Sequence, residues 1–424
     1  MNLYPLKNKI LHGNSLLSKN PKSFINNGWP NYFQKAKGIY VYDLKNKKYL
    51  DMVFAVGTNL LGYSNINIDK KILQAVKLGT MSTLNCLEEV ILSKEILKLN
   101  KWAGMVKYAR SGGEANCIAI RIARCYSKKT NIAVCGYHGW HDWYLSANIS
   151  ESKNELKNIF LPGVKVKGIP KQLKGTTYVF KYNDYENLKK IVEKKNIGII
   201  KMEVMRNQYP KDNFLQKVRK LCDKNNIVLI FDECTSGFRD IYGGIHKKFK
   251  IKPDIAMFSK AIGNGYPISI VVGKKKIMKS AENSFISSTY WSERLGYVAA
   301  LATLKEMKRI KSWNRTSLMG KFIKKKWKEI SKKHSIDIII NEGIDSIPSF
   351  DFKYNKEFLK KFLIKEMLKK NILASNYIFV STQHNINNTK KYFKVFDLVL
   401  KKIKEKSFSK KNKKIYSNQM VRFN

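Results

Sequence analysis

An acid at position 232 and an amine at position 260 each close an apolar run of the chain. Residues 227–231 read Ile-Val-Leu-Ile-Phe and lead into Asp232 and Glu233. Residues 255–258 read Ile-Ala-Met-Phe and lead into Ser259 and Lys260, followed by Gly263, Gly265 and Pro267. Two buried strands of a sheet bring such a carboxylate and amine to one edge. The pair suits pyridoxal phosphate. A lysine forms the Schiff base, and an acid holds the pyridine nitrogen protonated so that the ring accepts electrons. Desolvation at a strand end lowers a lysine pKa and favours the free amine. With 81 Lys+Arg in the chain, a lone lysine says little, and the setting carries the argument. A buried Asp232 requires a partner, either the ring N–H or a structural salt bridge with Arg239 or another base. Glu233 is expected to face the opposite side of the sheet.

Other groups offer the remaining sides of a cofactor site. Ser111-Gly112-Gly113 precede a helical stretch over 116–125. Glycines at a helix start let backbone N–H groups approach a phosphate, although the same residues also suit a plain N-cap turn with Glu114 in the first turn. Tyr137 and His138 lie in GYHGWHDW, after an expected strand over 131–135, where an aromatic ring can stack on a flat cofactor. His138 and His141 have no third ligand at metal-site spacing, so no metal is assigned. Trp140 and Trp143 read as packing or pocket walls. Glu203 ends the run 197–202, with Asn207 beyond it, and suits either an internal network or the positioning of Asp232. Ser287, Ser288 and Thr289 are hydroxyls that either reach a phosphate or cap the following helix.

The elements that must position these residues alternate. A hairpin is expected over 39–52, with helices through 66–78 and 87–97. Strands at 105–109, 131–135, 177–180, 197–203 and 227–232 are interleaved with helices. Such a pattern implies a mainly parallel sheet covered on both faces, with ligands at the carboxyl ends of its strands. Residues 271–273 close this region, and a helix over 298–309 leads out of it. The rest reads as a smaller Lys-rich segment with strands at 336–340, 349–352 and 378–380 and helices at 358–367 and 389–403. No internal repeat or linker interrupts the chain.

The chain has 424 residues, 44% hydrophobic and 27% charged, enough for two or three domains. The formal net charge of +49 suits a nucleic-acid or anionic-surface binder. The lysines are spread along the chain, however, and Asn and Ile are also abundant. The charge is therefore read as coding bias, with no nucleic-acid or membrane partner assigned. The dense stretch 401–414 reads as a helix end and tail. Six cysteines without a C-x-x-C pair, no apolar leader and no run long enough to span a bilayer point to a cytoplasmic protein with reduced thiols.

Together the motifs resemble class III pyridoxal phosphate-dependent aminotransferases, and within them the glutamate-1-semialdehyde 2,1-aminomutase group. ARSGGEANCIAIRIAR is similar to the family's phosphate loop and helix, GYHGWHDW to its Tyr-His-Gly motif, FDECTSGFR to its Asp-Glu strand and SKAIGNGYP to its lysine motif. The resemblance runs from KAKGIYVYDLKNKKYLDMV to VFDLVLKKIKE. It implies a fold-type I α/β protein with a large domain on a mainly parallel seven-stranded sheet (51–300). A smaller α/β domain would come from both chain ends (1–50 and 301–424). It implies Lys260 as the Schiff-base lysine and Asp232 as the pyridinium partner, Tyr137 on the ring and Gly112 and Gly113 at the phosphate. Thr289 would reach the phosphate of a neighbouring subunit, hence a homodimer with shared active sites. His138 and Glu203 complete the expected cofactor set.

Three departures stand out. Gly113 replaces a threonine of the family loop, Val204 follows Glu203 in place of proline, and Tyr290-Trp291-Ser292-Glu293 replaces a Ser-Gly-Asn-Pro segment. The last favours an aminotransferase that moves an amino group between an amino acid and an aldehyde or keto acceptor, in a surface-polysaccharide or secondary pathway. An intramolecular aminomutase is the first alternative, and a basic binding protein on a relic fold the second.

Overall fold

The structure is a computed structural model of the chain and describes residues 9–149 and 167–406. It begins with a hairpin. Strands β1 (Phe33–Lys37), β2 (Tyr40–Asp43) and β3 (Lys48–Asp51) pair antiparallel in order. The turn between β2 and β3 is closed by Asp43, whose carboxylate accepts from the Lys45 and Lys47 N–H groups. The segment at 33–37 is a strand because it pairs with β2.

The central sheet holds β4 (Met105–Ala109), β5 (Asn131–Cys135), β6 (Thr177–Val179), β7 (Ile197–Glu203), β8 (Val228–Glu233), β9 (Ile255–Phe258) and β10 (Ser269–Gly273). Their spatial order is β4-β10-β9-β8-β7-β5-β6. The pairings from β6 through β9 are parallel, and β10 runs antiparallel between β9 and β4. The side chains alternate between two packed layers. Ile199, Ile230 and Met257 face the layer under the helix Gly112–Ser127, whereas Ile200, Phe231 and Phe258 face the layer that holds Leu215 and Val218. Burial on both faces is why these strands read as near-continuous apolar runs.

The helix Gly112–Ser127 starts two residues after the end of β4, past Arg110 and Ser111. Ser111 caps it: its hydroxyl accepts the Glu114 N–H, and the Glu114 carboxylate accepts the Ser111 N–H. The two glycines therefore form the first turn of the helix, where a loop had been expected. At the other end Lys128 turns left-handed (φ 57°) and stops it.

After β10 the chain runs through the helix Arg294–Ile310, packed on the helices Ile66–Lys77 and Leu87–Leu99. A left-handed Lys311 (φ 49°) separates it from the helix Ser312–His334. Residue 300 lies inside the first of these helices. A two-stranded unit of β11 (Ile338–Ile340) and β12 (Phe350–Phe352) follows, then the helix Lys356–Lys369, β13 (Ile372–Leu373) and the helix Ile386–Glu405. β13 pairs in parallel with β3, Ile372 opposite Leu50, so that one sheet joins strands from both chain ends.

The strand expected at 378–380 is not one. Ile378, Phe379 and Val380 are buried, but the Ile378 and Val380 N–H groups bond to the loop carbonyls of Pro348 and Ser346. An apolar run signals burial, and the pairing with this neighbouring segment goes no further than an isolated bridge between Tyr377 and Ser349. Part of the basic stretch 401–414, from 407 on, lies outside the described residues, as do residues 1–8.

Candidate active site

β5, β7, β8 and β9 all point their carboxyl ends to one edge, and the chemistry-bearing residues gather there. Asp232 is buried. Its Oδ2 lies 2.9 Å from His138 Nδ1 and 3.7 Å from Lys201 Nζ, and its Oδ1 accepts the Cys234 N–H at 3.0 Å. Burial alone would raise its pKa, but the Lys201 charge and the His138 hydrogen bond outweigh that and hold the carboxyl far below the usual range. Asp232 is an ionised acid whose donors fix both oxygens.

Arg239 is not the partner of Asp232. It is fully buried, donates Nε to the Thr235 carbonyl and Nη2 to the Gly57 carbonyl, and lies over the Phe379 ring. Burial pushes its pKa down to about 10. Glu233 faces the other layer, as expected, and there accepts from the Ile245 and His246 N–H groups and from the His246 ring.

Lys260 begins a short turn, Lys260–Gly263, with a left-handed backbone (φ 45°), a conformation that costs a non-glycine residue energy and gathers at functional sites. Its Nζ donates to Thr235 Oγ1 at 2.8 Å. Burial lowers its pKa to about 8, and the charges of Arg206 and Arg239 push in the same direction. Near neutrality a useful fraction is free amine. Ser259, one residue earlier, bonds to Ser269 Oγ at 2.7 Å, and a Cβ added at Gly112 would sit 3.9 Å from the Ser259 Cβ. The lysine segment and the glycine turn are therefore neighbours.

At that turn Glu114 accepts the Arg110 and Ser111 N–H groups, and Ser111 accepts that of Glu114. The N–H groups of Gly112 and Gly113 are first-turn donors with no intrahelical acceptor. A Cβ at Gly113 would come within 2.7 Å of His141 Cε1. The His141 ring, stacked on exposed Trp140, occupies the space that a threonine would need.

Tyr137 is half-buried, and its N–H donates to Glu203 Oε2 at 3.2 Å. Glu203 also meets Arg206 Nη1 at 3.4 Å. His138 is buried, with Nε2 3.1 Å from the Cys135 carbonyl, so both ring nitrogens are taken up by protein groups. One of those groups is Asp232. Thr289 is exposed at the start of the turn Thr289–Ser292. That turn is tied to the glycine region: Arg110 donates to the Tyr290, Trp291 and Glu293 carbonyls, and Trp291 Nε1 donates to Glu114 Oε1 at 3.0 Å. A cavity of about 810 Å³ adjoins the loop after Lys260, lined by Asn59, Asn264 and Tyr266 among others, but neither Lys260 nor Asp232 lines it.

Lys201, Thr235, Arg110 and Arg206 were not singled out from the sequence. Only Lys201 left a clear signal there, a lone charge in the apolar strand 197–202.

Residues 26–373 match the family model for aminotransferase class-III. The chain belongs to this family. Class-III aminotransferases use pyridoxal phosphate, and the residues gathered here fit it: a buried anion, a half-buried lysine with an amine of lowered pKa, and two helix N–H groups of the first turn. This aminotransferase is 31% identical to the 3-aminobutyryl-CoA aminotransferase of Cloacimonas acidaminovorans over 91% of its own length and 90% of the relative's. It is 30% identical to the glutamate-1-semialdehyde 2,1-aminomutase of Wigglesworthia glossinidia brevipalpis, covering 84% and 86%. Its fold matches the FumI protein of Sphingopyxis sp. MTA144 with a TM-score of 0.85 at 20% identity, over 96% and 97% of the two chains. It also matches a β-phenylalanine aminotransferase from Variovorax paradoxus with a TM-score of 0.79 at 18% identity, over 94% and 93%. The fold is that of pyridoxal phosphate-dependent transferases of type I. Among the described residues no helix is long and apolar enough to cross a membrane.

Proposed function

We propose that this enzyme transfers an amino group between an amino acid donor and an aldehyde or keto acceptor, with Lys260 and Asp232 as its catalytic residues. The observation that carries this reading is the half-buried Lys260 with an amine of lowered pKa on the same sheet edge as the ionised, buried Asp232. Bound pyridoxal phosphate supplies an aldehyde that captures the donor amine and a ring that takes up an electron pair. Lys260 Nζ would hold the cofactor at rest and, as the free amine placed by Thr235 Oγ1, would carry a proton at the donor carbon. Asp232 would hold the ring N–H, and His138 and the Cys234 N–H orient its carboxylate. Gly112 and Gly113 would donate to the phosphate. Tyr137, whose N–H is anchored by Glu203, would lie against the ring.

The same reading makes the enzyme a homodimer in which Thr289 serves the partner's phosphate. Leu78, Leu84, Leu87 and Val90 are largely exposed on one run of chain, and Tyr290 is 68% exposed beside Thr289. Such a patch suits a second copy. We take 51–300 as the cofactor domain and 1–50 with 301–424 as the smaller one, on the β3–β13 pairing. The six free cysteines, three of them buried, suit the cytoplasm.

A purified sample should show a visible band that borohydride fixes to Lys260 and that Lys260→Ala removes. A colourless protein that pyridoxal phosphate cannot reconstitute overturns the reading. The departure at 290–293 favours transamination in a surface-polysaccharide or secondary pathway. The two relatives make 3-aminobutyryl-CoA and glutamate-1-semialdehyde the first substrates to screen. Turnover of the semialdehyde without an acceptor would establish the aminomutase alternative.

A further inference from the structure

A cation is buried against the acid of the site. Lys201 lies inside β7 next to Ile199 and Ile200 and has no exposed surface. Its Nζ is 3.7 Å from Asp232 Oδ2 and 3.6 Å from Met257 Sδ, and Asp232 is its one ion pair among the described residues. A buried ammonium with one pairing and, among the described residues, no oxygen within hydrogen-bond distance is costly, and an apolar residue here would carry no such cost.

The groups facing it come from every side. Asp232 and Cys234 lie on β8 and just beyond its end, Glu203 is two residues along β7, Cys117 comes from the helix Gly112–Ser127, and His138 comes from the loop after β5. Burial drives Lys201 toward the neutral amine, and Asp232 opposes it. Both His138 nitrogens face oxygen acceptors, which favours the imidazolium, while burial and Lys201 disfavour it. Asp232 thus serves two bases with one negative charge before a ring nitrogen arrives.

We infer that Lys201 is a positioning residue that sets the proton affinity of the cofactor ring nitrogen by competing with it for the Asp232 carboxylate. The inference rests on the reading of Asp232 as the partner of that nitrogen. Two cations on one buried carboxylate repel, so the ring N–H gives its proton to solvent at lower pH than Asp232 alone would allow. The ring's pull on electrons then falls as pH rises, and Lys201 places that fall.

The test is nitrogen-15 NMR of the enzyme loaded with ring-¹⁵N pyridoxal phosphate, titrated with pH in wild type, Lys201→Met, Lys201→Gln and Asp232→Asn. Removing the lysine charge should raise the ring-nitrogen midpoint by roughly 1–3 pH units in both lysine variants. A purely structural role would leave it in place. Equal midpoints in wild type and variants overturn the inference. So does a wild-type ring nitrogen that keeps its proton up to the pH of unfolding, whether or not the variants fold. If Asp232→Asn leaves the signal unchanged, the reading of Asp232 fails. If Asp232→Asn moves it and the lysine variants do not, the inference about Lys201 fails alone.

Discussion

His138 Nδ1 lies 2.9 Å from Asp232 Oδ2, and both side chains are buried. One strand end therefore aims its acid by means of the loop of another. A hydrogen bond to a charged group contributes about 1.5–3 kcal/mol. His138→Leu should accordingly weaken cofactor binding by roughly ten- to a hundredfold. His138→Asn, whose amide can stand in for Nδ1, should recover part of the loss. Absorbance titration of the apoprotein with pyridoxal phosphate reads both. Equal binding by the leucine variant and wild type would remove His138 from the site.

The Lys260 amine, lowered to about 8 by burial and by Arg206 and Arg239, predicts a pH profile. Capture of the cofactor by apoprotein needs the neutral amine, so its rate should climb to a plateau above about pH 8. An ordinary lysine would carry the climb to about 10.4. The folded value lies below the unfolded one. Between the two the unfolded chain binds more protons, and this group's contribution to stability rises with pH. Below the folded value the buried charge is a cost. Arg206→Met should move the capture midpoint upward, and stopped-flow absorbance measures it.

Gly57 is left-handed at φ 81°, and an added Cβ would meet Arg239 Nη2 at 2.4 Å and the Phe379 ring at 2.5 Å. Gly57→Ala should therefore cost roughly 2–4 kcal/mol, from strain and from overpacking. Denaturant unfolding of the apoprotein measures it. Because Arg239 also bears on Lys260, the same variant should shift the capture midpoint described above.

Arg110 holds the 290–293 segment through three carbonyls. Arg110→Ala should release that segment without unfolding the sheet. Hydrogen exchange should rise across 289–293, with little change in β7 and β8. If Thr289 serves a partner's phosphate, the variant should also bind cofactor more weakly as a dimer.

Leu84→Asp with Leu87→Asp places charge on the exposed apolar run, where both leucines are at least 69% exposed in the single chain. Sedimentation should shift from dimer to monomer while the circular dichroism spectrum holds. An unchanged sedimentation profile would place the dimer contact elsewhere.

Much of this arrangement was legible in the sequence for physical reasons. The buried runs ending at Asp232 and just before Lys260 announce themselves because apolar strands covered on both faces tolerate little else. The side of Glu233 followed from the two-residue alternation of a strand. What escaped was set by neighbours distant in sequence. The pairing of Lys201 with Asp232 depends on β7 lying beside β8, and the role of Arg110 depends on where residues 290–293 fold back. The apolar run 378–380 was misread because burial and strand pairing leave the same local trace.

The parallel pairing of Leu50 with Ile372 has a consequence for synthesis. The hairpin leaves the ribosome early, while the strand that completes its sheet is made some 320 residues later, roughly 15–60 s at ordinary translation rates. For that interval β3 has an unpaired edge, while β4 to β10, with Asp232 and Lys260, can already close. The edge that carries Asp232 and Lys260 can thus form before β3 meets β13. That pairing is a long-range closure, and β3 is open to mispairing until it is made.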